Sequence, residues 1–204
     1  MEDLYKVQKK DIPKVGILLA DAFQHDPLWK KVFEGESRRN QRFRAFFETP
    51  IRYCLRYGEA YAVSENLEGI AAWVPGDLAD MTLWRLIRSG AMRSGIKMGA
   101  SLSRKMAPIF KQLEEDRQEN MKRRPFIYLL IIGVPSKHQR QGFGGKLLLS
   151  LIDKSKRVGM PLYLETETKD NARMYEGIGF NLVKQITLQS LNLPMWEMVR
   201  EPEA

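Results

Sequence analysis

Residues 131–152 read IIGVPSKHQRQGFGGKLLLSLI, and this stretch decides the fold. It connects an apolar run, 126–134, to a second apolar segment through a turn with three glycines in four positions. The run is rich in β-branched and aromatic residues, which is typical of a central strand covered on both faces. The segment after the turn predicts a helix over 143–158, ended by Gly159. A strand at 161–168 then implies a parallel crossover.

The glycine turn offers backbone N–H groups to an anion. A helix N-terminus carries unpaired N–H groups and partial positive charge, and glycine lets a ligand approach the backbone closely. Spacing excludes two known phosphate-binding patterns, because GxGxxG needs glycine at Leu147 and GxxxxGK[ST] needs glycine at Arg140. Gln139, Gly142 and Gly144 fit Q-x-x-G-x-G instead. The alternative is an ordinary strand-to-helix turn that needs glycine for a positive φ.

The N-terminal half predicts further strands and helices. Residues 4–7 suggest a strand, and a helix follows with Asp11 as N-cap. A second helix is expected over 37–57, although Pro50 must kink or restart it. A β-hairpin turns at 66–69, and 78–123 predicts two or three short helices broken at Gly90, Gly95 and Gly99.

The C-terminal part completes a mixed pattern of strands and helices. A short helix begins at about Asn171, and strands follow at 180–188 and 194–201. We therefore expect one α/β domain over residues 1–204.

Composition narrows the classes of function. Thirty-three basic against twenty-five acidic residues give a formal net charge of +8, which favours an anionic ligand. No RNP-like aromatic pattern accompanies the charge, so we expect no nucleic-acid partner. We expect neither a signal peptide nor a membrane partner, since no stretch is apolar enough to span a bilayer. The single cysteine, Cys54, is compatible with the cytoplasm, and the chain is expected to be a monomer or homodimer.

Two segments resemble the GNAT superfamily of acetyl-coenzyme A dependent N-acetyltransferases. The stretch 131–152 is similar to that family's strand, pyrophosphate loop and helix. YLETETKDNARMYEGIGF, 163–180, is similar to its next strand and its Asn…Tyr…Gly-Phe segment. AAWVPG, IIGVP and PMWEMVRE look like the puromycin N-acetyltransferase-like branch. The resemblance implies an α/β fold with a mixed central sheet, splayed parallel strands and flanking helices, plus a helical insertion at 78–123 on the acceptor side.

The resemblance also implies how acetyl-coenzyme A would bind, with no metal. Backbone N–H groups of the glycine turn would bind the pyrophosphate, and the strand end at 132–134 would pair with the pantetheine arm. Asn171 would hydrogen-bond the pantetheine, although by its own chemistry it is a good helix N-cap. Gly133 allows a bulge or a close ligand approach, and packing alone is the alternative. The candidate cofactor-binding residues are Ile132, Gly133, Val134, Gln139, Arg140, Gln141, Gly142, Phe143, Gly144, Gly145, Lys146, Asn171 and Tyr175.

Tyr175 is the candidate catalytic acid. The resemblance implies that a tyrosine here protonates the departing thiolate, and the alternative is a packed core aromatic. A tyrosine with a pKa near 10 is protonated at pH 7 and can donate this proton.

The catalytic base is less defined, because the strand at 126–134 contains no carboxylate. Alternation along 161–168 places Glu165 and Glu167 on one face, where they could look toward the acceptor. Glu165 is the candidate base, while a solvated or structural role is the alternative. His138 and His25 are further candidates.

The expected reaction is direct attack of a primary amine on the acetyl thioester in a ternary complex. The acceptor is expected to be a small molecule, with a protein N-terminus or lysine as the alternative. A catalytically weak coenzyme A-binding sensor is a rival reading. Deprotonating an alkylamine of pKa about 10.4 costs roughly 4–5 kcal/mol at pH 7, against about 1 kcal/mol for an α-amino group. The strand without a carboxylate therefore favours an acceptor of low pKa.

Overall fold

A seven-stranded mixed sheet organises the chain. The computed structural model describes residues 3–36 and 39–202, and its strands run in the spatial order β1-β2-β3-β4-β5-β7-β6. Among these strands only β4 and β5 are parallel neighbours. The strands are β1 (Tyr5–Lys6), β2 (Glu59–Ala62), β3 (Ile70–Pro75), β4 (Ile127–Gly133), β5 (Leu162–Thr166), β6 (Asn181–Leu188) and β7 (Leu193–Arg200).

Helices cover both faces of the sheet. One core layer holds side chains of α1, α3 and α6, and the other holds side chains of α7 and α8. The helices are α1 (Ile12–Ala22), α2 (Pro27–Val32), α3 (Arg39–Tyr57), α4 (Leu83–Arg88), α5 (Met92–Met98), α6 (Ala100–Met121), α7 (Phe143–Val158) and α8 (Lys169–Glu176). Within the described ranges, no helix is both long and apolar enough to cross a bilayer.

Successive side chains of β5 pack alternately into the two core layers. Tyr163 packs with the α1–α3–α6 layer, whereas Leu162 and Leu164 pack with the α7–α8 layer. This period of two is the geometry of a pleated strand buried on both faces.

The fold class predicted from the sequence is confirmed. α7 spans Phe143–Val158, and Gly159 ends it in the left-handed conformation at φ +66°. The hairpin forms as β2 and β3, and β4 and β5 are parallel as the crossover requires. These elements were predictable because glycine punctuation and apolar periodicity agree with each other locally.

Two helical predictions were wrong in part. α3 does not restart at Pro50, because its buried face is held by packing against α1, α5 and the sheet, while a kink there stays a prediction. Residues 37 and 38, where the helix was expected to begin, lie outside the described residues. Gly95 lies inside α5, and α6 is a single helix of 22 residues where a short one was expected.

Two predicted helix caps also differ. Asp11 precedes α1, but its carboxylate accepts from the Tyr5 hydroxyl (2.9 Å) and the Gln8 N–H (2.9 Å) and does not cap the helix. α8 starts at Lys169, where the Thr168 hydroxyl accepts from the N–H of Asn171 at 3.2 Å. Asn171 is therefore not the N-cap.

Candidate active site

The parallel strands β4 and β5 pair over a short length and then separate. Their parallel pairing is limited to Ile127 with Leu162 and Tyr128 with Tyr163. Beyond this point residues 129–133 of β4 and 164–166 of β5 continue without pairing to each other. A gap with unsatisfied main-chain groups on its two edges therefore opens toward the C-terminal ends of both strands.

A bulge in β4 accounts for the parting. β3 places Ala72 opposite Ile131 and Trp73 opposite Leu129, so Leu130 is an extra residue. A β-bulge bends its strand and increases the local twist. The bend occurs directly after the last pair with β5.

The bulge does not lie at Gly133, contrary to one of its predicted roles. Gly133 pairs regularly with Ile70, and a Cβ at Gly133 would lie 2.8 Å from Leu19 Cδ2 and 3.0 Å from Phe23 Cε2. The close approach of α1 therefore explains this glycine. Its neighbour Ile132 packs on the opposite side, against the α7–α8 layer.

The glycine turn contains more glycine than its own backbone requires. Gly142 has φ +82° and is the N-cap of α7, which explains this position. Gly144 and Gly145 have no positive φ. A Cβ at Gly145 would meet open space, and a Cβ at Gly144 would only touch Val134 Cγ2 at 3.6 Å. Their effect is to leave the main chain reachable from outside.

Unpaired N–H groups lie at this start of α7. The first helical hydrogen bond runs from the Lys146 N–H to the Gly142 carbonyl at 3.0 Å. The N–H groups of Phe143, Gly144 and Gly145 precede it and find no acceptor within the part of the chain that the structure describes. Backbone donors and a helix dipole of this kind can bind a diphosphate, and this role of the turn stays a prediction.

Two glutamine side chains stabilise the turn by hydrogen bonds to backbone carbonyl groups. The Gln139 amide donates to the Val134 carbonyl (3.1 Å), and the Gln141 amide donates to the Lys137 carbonyl (3.1 Å). Gln139 and Gln141 thus fix the loop by their side chains. Arg140 and Lys146 are exposed and point to no acidic partner among the described residues.

Two further contacts anchor the turn. The Asp21 carboxylate of α1 accepts from the Ser136 N–H at 2.6 Å. His138 packs edge-on against Phe143, with ring centroids 5.8 Å apart, which favours its structural role. Sequence reasoning missed Asp21, since no local pattern connects a helix carboxylate to a loop 115 residues away.

Tyr175 is buried in α8 and packs against Phe180 with centroids 5.4 Å apart. Its hydroxyl makes no hydrogen bond within residues 3–36 and 39–202. Burial, reinforced by the charge of Glu167, raises the pKa of Tyr175 above its ordinary value. The hydroxyl therefore keeps its proton through the physiological range and can donate it. Asn171, one turn earlier, is exposed.

Glu165 is held in an internal ion pair. The buried Arg117 of α6 contacts the Glu165 carboxylate at 3.2 Å and the Asp80 carboxylate at 3.0 Å. The Arg117 guanidinium also lies over the Tyr128 ring, 4.5 Å from its centroid. Burial raises the pKa of Glu165, while Arg117 and Tyr128 oppose that rise. A carboxylate with these partners is less free to accept a proton than the sequence suggested.

Glu167 has a different environment at the end of β5. It lies within hydrogen-bonding reach of Asp26, whose carboxylate caps α2 by accepting from the N–H groups of Leu28 (2.9 Å) and Trp29 (3.1 Å). Burial first, and the shared contact with Asp26 next, raise the pKa of Glu167 well above its ordinary value. Glu167, just beyond the end of β5, thus lies near Asp26 on one side and near Tyr175 on the other.

Other candidates lie elsewhere. His25 is exposed and lines an open groove of about 850 Å³ between α1, α2 and α3. Cys54 is fully buried, and this burial raises the pKa of its thiol far above the ordinary value, so it is not a nucleophile. Within the described ranges, no group of three or more His, Cys, Asp or Glu side chains is arranged to hold a metal ion.

Comparison with known proteins agrees with this geometry. Residues 109–180 match the acetyltransferase (GNAT) family. An uncharacterized N-acetyltransferase of Schizosaccharomyces pombe is 29% identical over 214 residues, covering 97% of this chain and 83% of that protein. This agreement confirms the predicted family, while the resemblance to the puromycin branch stays a prediction.

Solved structures support the fold. A histone acetyltransferase HPA2 and related acetyltransferase from Corynebacterium glutamicum has a TM-score of 0.65 at 18% identity, with 98% of this chain and 96% of that chain covered. A Drosophila melanogaster polyamine N-acetyltransferase has a TM-score of 0.64 at 12% identity, with 97% and 98% covered. At these identities the similarity confirms the fold.

Replacing Gly145 by Glu should separate ligand binding from folding. The side chain would enter open space, and an acidic residue in the first turn stabilises a helix, so the thermal midpoint should not fall. One negative charge about 8 Å from a diphosphate costs roughly 2 kcal/mol at an effective dielectric of about 20, or about 30-fold in Kd. Calorimetry with coenzyme A measures this loss.

Gly145→Gln is the matched control, since it adds nearly the same volume without charge. Equal coenzyme A affinities for the Glu and Gln variants at low salt would show that the turn does not hold the diphosphate.

Proposed function

Because this chain is an N-acetyltransferase of the GNAT family, we propose that it transfers the acetyl group of acetyl-coenzyme A to a primary amine of a small molecule. The proposed reaction is direct attack of the neutral amine in a ternary complex, with no covalent acetyl-enzyme. One observation carries the proposal: the strand that borders the gap leads, through a nine-residue loop, to a glycine-rich helix start with unpaired backbone N–H groups.

The donor would occupy the gap and the glycine turn. When bound, acetyl-coenzyme A supplies an activated thioester and a diphosphate. The unpaired N–H groups of Phe143, Gly144 and Gly145 would donate to diphosphate oxygens, favoured by the dipole of α7. The free edge of β4 at 129–133 would pair with the pantetheine amides as another strand would.

Tyr175 would act as the acid. Its proton is retained because burial raises its pKa, and its hydroxyl is not engaged by any described residue. A departing thiolate has a pKa of roughly 8.5 and is protonated readily by a positioned donor.

We assign the base to Glu167 in place of Glu165. Glu165 shares its charge with Arg117, whereas Glu167 faces another carboxylate, Asp26. Asp26 is held in place by the backbone N–H groups at the start of α2, from which its carboxylate accepts hydrogen bonds, so it stays beside Glu167. In its ionised form, a carboxyl group whose pKa is raised is a stronger base than an ordinary carboxylate, which suits proton acceptance.

The acidic pair also supports the class of acceptor. Two carboxyl groups beside the gap attract a protonated amine and can take its proton. With Glu167 as the base, the acceptor amine does not need a low pKa. An alkylamine of pKa about 10.4 is therefore also a suitable acceptor. A polyamine N-acetyltransferase of Drosophila melanogaster has the same fold, so this fold accommodates a small amine acceptor.

A protein amino group is the second candidate acceptor. The groove of about 850 Å³ that His25 lines is open and carries side chains of both charges, including Lys30, Glu34 and Arg44. It adjoins Asp21, which anchors the loop after β4. An extended peptide could lie there with its amino group near Asp26.

A panel of amines tests the function directly. Thiol release from acetyl-coenzyme A should occur with small alkylamines or polyamines, with kcat/KM at least about tenfold above that of peptides. Turnover restricted to peptides would favour the second candidate. Binding of coenzyme A without turnover of any amine would indicate a sensor.

Tyr175→Phe should lower kcat about 100-fold or more, because the proton donor is removed. Since the hydroxyl makes no hydrogen bond to any residue that the structure describes, stability and the Kd for coenzyme A should change little. Steady-state kinetics and thermal unfolding measure the two effects. A variant with lowered stability and unchanged kcat would assign Tyr175 to the core.

Glu167→Gln should produce a defect that depends on pH. At pH 7 kcat/KM should fall about 100-fold, and the deficit should shrink as pH approaches the pKa of the acceptor amine, because neutral amine then needs no base. Glu165→Gln is the control and should show a deficit independent of pH. A constant deficit for Glu167→Gln would contradict the assignment.

A further inference from the structure

Charge is distributed unevenly along the chain. Residues 81–113 include no acidic residue, whereas they contain Arg85, Arg88, Arg93, Lys97, Arg104, Lys105 and Lys111. This stretch begins just before α4 and ends within α6. Most of the net positive charge of the chain therefore lies in this one segment.

Apolar side chains are exposed in the same segment. Leu83 and Trp84 of α4 are 66% and 64% exposed, and Ile96 of α5 is 74% exposed. Ile87, one turn after Leu83, is 48% exposed. Large apolar side chains on a soluble surface are common singly, but a row on one short helix is a sign of an interaction site.

Helical spacing interleaves the two kinds of side chain. Trp84, Ile87 and Arg88 share one face of α4, and the Arg88 guanidinium lies over the Trp84 ring, 5.8 Å from its centroid. On α5, Arg93, Ile96 and Lys97 share a face in the same way. We call these six residues with Leu83 the basic apolar face.

The rest of the protein fixes the orientation of this face. Ser94 is fully buried and hydrogen-bonds Arg52 (3.0 Å) and Glu48 (2.9 Å) of α3, so α5 turns this side inward. Arg85 donates to the Asp80 carbonyl at 3.1 Å and holds α4. Arg88, Arg93 and Lys97 are exposed and make no ion pair within residues 3–36 and 39–202.

We propose that the basic apolar face docks on the surface of a membrane that contains anionic lipids. Lipid headgroups would neutralise Arg88, Arg93 and Lys97, while Trp84, Leu83 and Ile87 would enter the boundary between headgroups and acyl chains. Tryptophan and arginine are both suited to this interface, and an amphipathic basic helix binds it without spanning it. The absence of a spanning stretch in the sequence does not bear on such peripheral contact.

Other occupants fit less well. A second copy of the chain on the same face would bring the unpaired cations of both copies together around a two-fold axis. A nucleic acid would engage the cations but leave the exposed leucine and isoleucine without a role. Anionic lipid satisfies the charged and the apolar groups at once.

Docking in this way leaves the glycine turn uncovered. α5 packs on α3, in the layer that covers one side of the sheet, whereas α7 and its glycine turn lie on the other side. Vesicle binding is measured without acetyl transfer, so its outcome is distinguishable from that of the proposed function.

Vesicle sedimentation of the full chain tests the proposal. Binding to phosphatidylcholine vesicles with about one third phosphatidylserine should be at least about tenfold tighter than to phosphatidylcholine alone, and salt should weaken it. Tryptophan emission should shift to the blue, because Trp84 is exposed, whereas Trp73 is buried and Trp29 and Trp196 are half-buried in the core layers. This shift should vanish in Trp84→Phe.

Matched variants distinguish binding through the basic apolar face from the effects of overall charge and hydrophobicity. Arg88→Glu/Arg93→Glu should lose vesicle binding about tenfold or more, while Lys10→Glu/Lys14→Glu, with the same change of charge on exposed residues, should not. Trp84→Ala should weaken binding, whereas Leu149→Ala, at an exposed leucine of α7, should not.

Three outcomes would overturn the proposal. The first is equal binding to both kinds of vesicle. The second is an equal loss in the control variants. The third is a dimer in sedimentation that Trp84→Ala dissociates while vesicles bind nothing, which would identify a second copy as the occupant.

Discussion

The parallel pairing of β4 and β5 ends at Tyr128 and Tyr163, and the rest of the structure depends on that ending. A regular sheet would have satisfied these main-chain groups internally, leaving no edge for an extended ligand. The bulge at Leu130 bends β4 at this point, so a single extra residue converts a closed sheet into two edges. The chain continues from the open end of β4 through the glycine turn into α7, which begins with unpaired N–H groups. The free strand edge and the helix start are therefore close together along the chain.

Polar groups on the α6 side support the walls of this gap. Arg117 joins Asp80 to Glu165, and Asn120 donates to both the Tyr163 hydroxyl (3.2 Å) and the buried Glu197 (2.7 Å). Glu165 and Glu197 lie directly opposite each other on β5 and β7. Burial raises the pKa of Glu197 to about 7, so one of two facing carboxyls can be neutral. Burying an ionised side chain costs desolvation free energy. Such buried polar groups therefore favour one specific arrangement of the side chains more than they stabilise the fold.

Local patterns predicted most of the architecture. α7, its end at Gly159 and the alternation along β5 were readable because capping, periodicity and turn chemistry are all encoded within a few residues. The errors arose where distant packing decides the outcome. Pro50 is accommodated because α3 is held by its neighbours, and Gly133 is explained by α1, which lies far from it in the sequence. No local rule reports either contact.

The same distinction explains which part of the candidate site could be predicted. The glycine turn and Tyr175 carry their chemistry in adjacent residues, so a motif identifies them. The pKa of Glu167 depends on burial and on Asp26, 141 positions earlier, and no local sequence pattern relates the two residues. Glu165 and Glu167 are equivalent by alternation, yet one meets a guanidinium and the other a carboxylate. Their different environments, which only the fold supplies, push the two groups toward different roles.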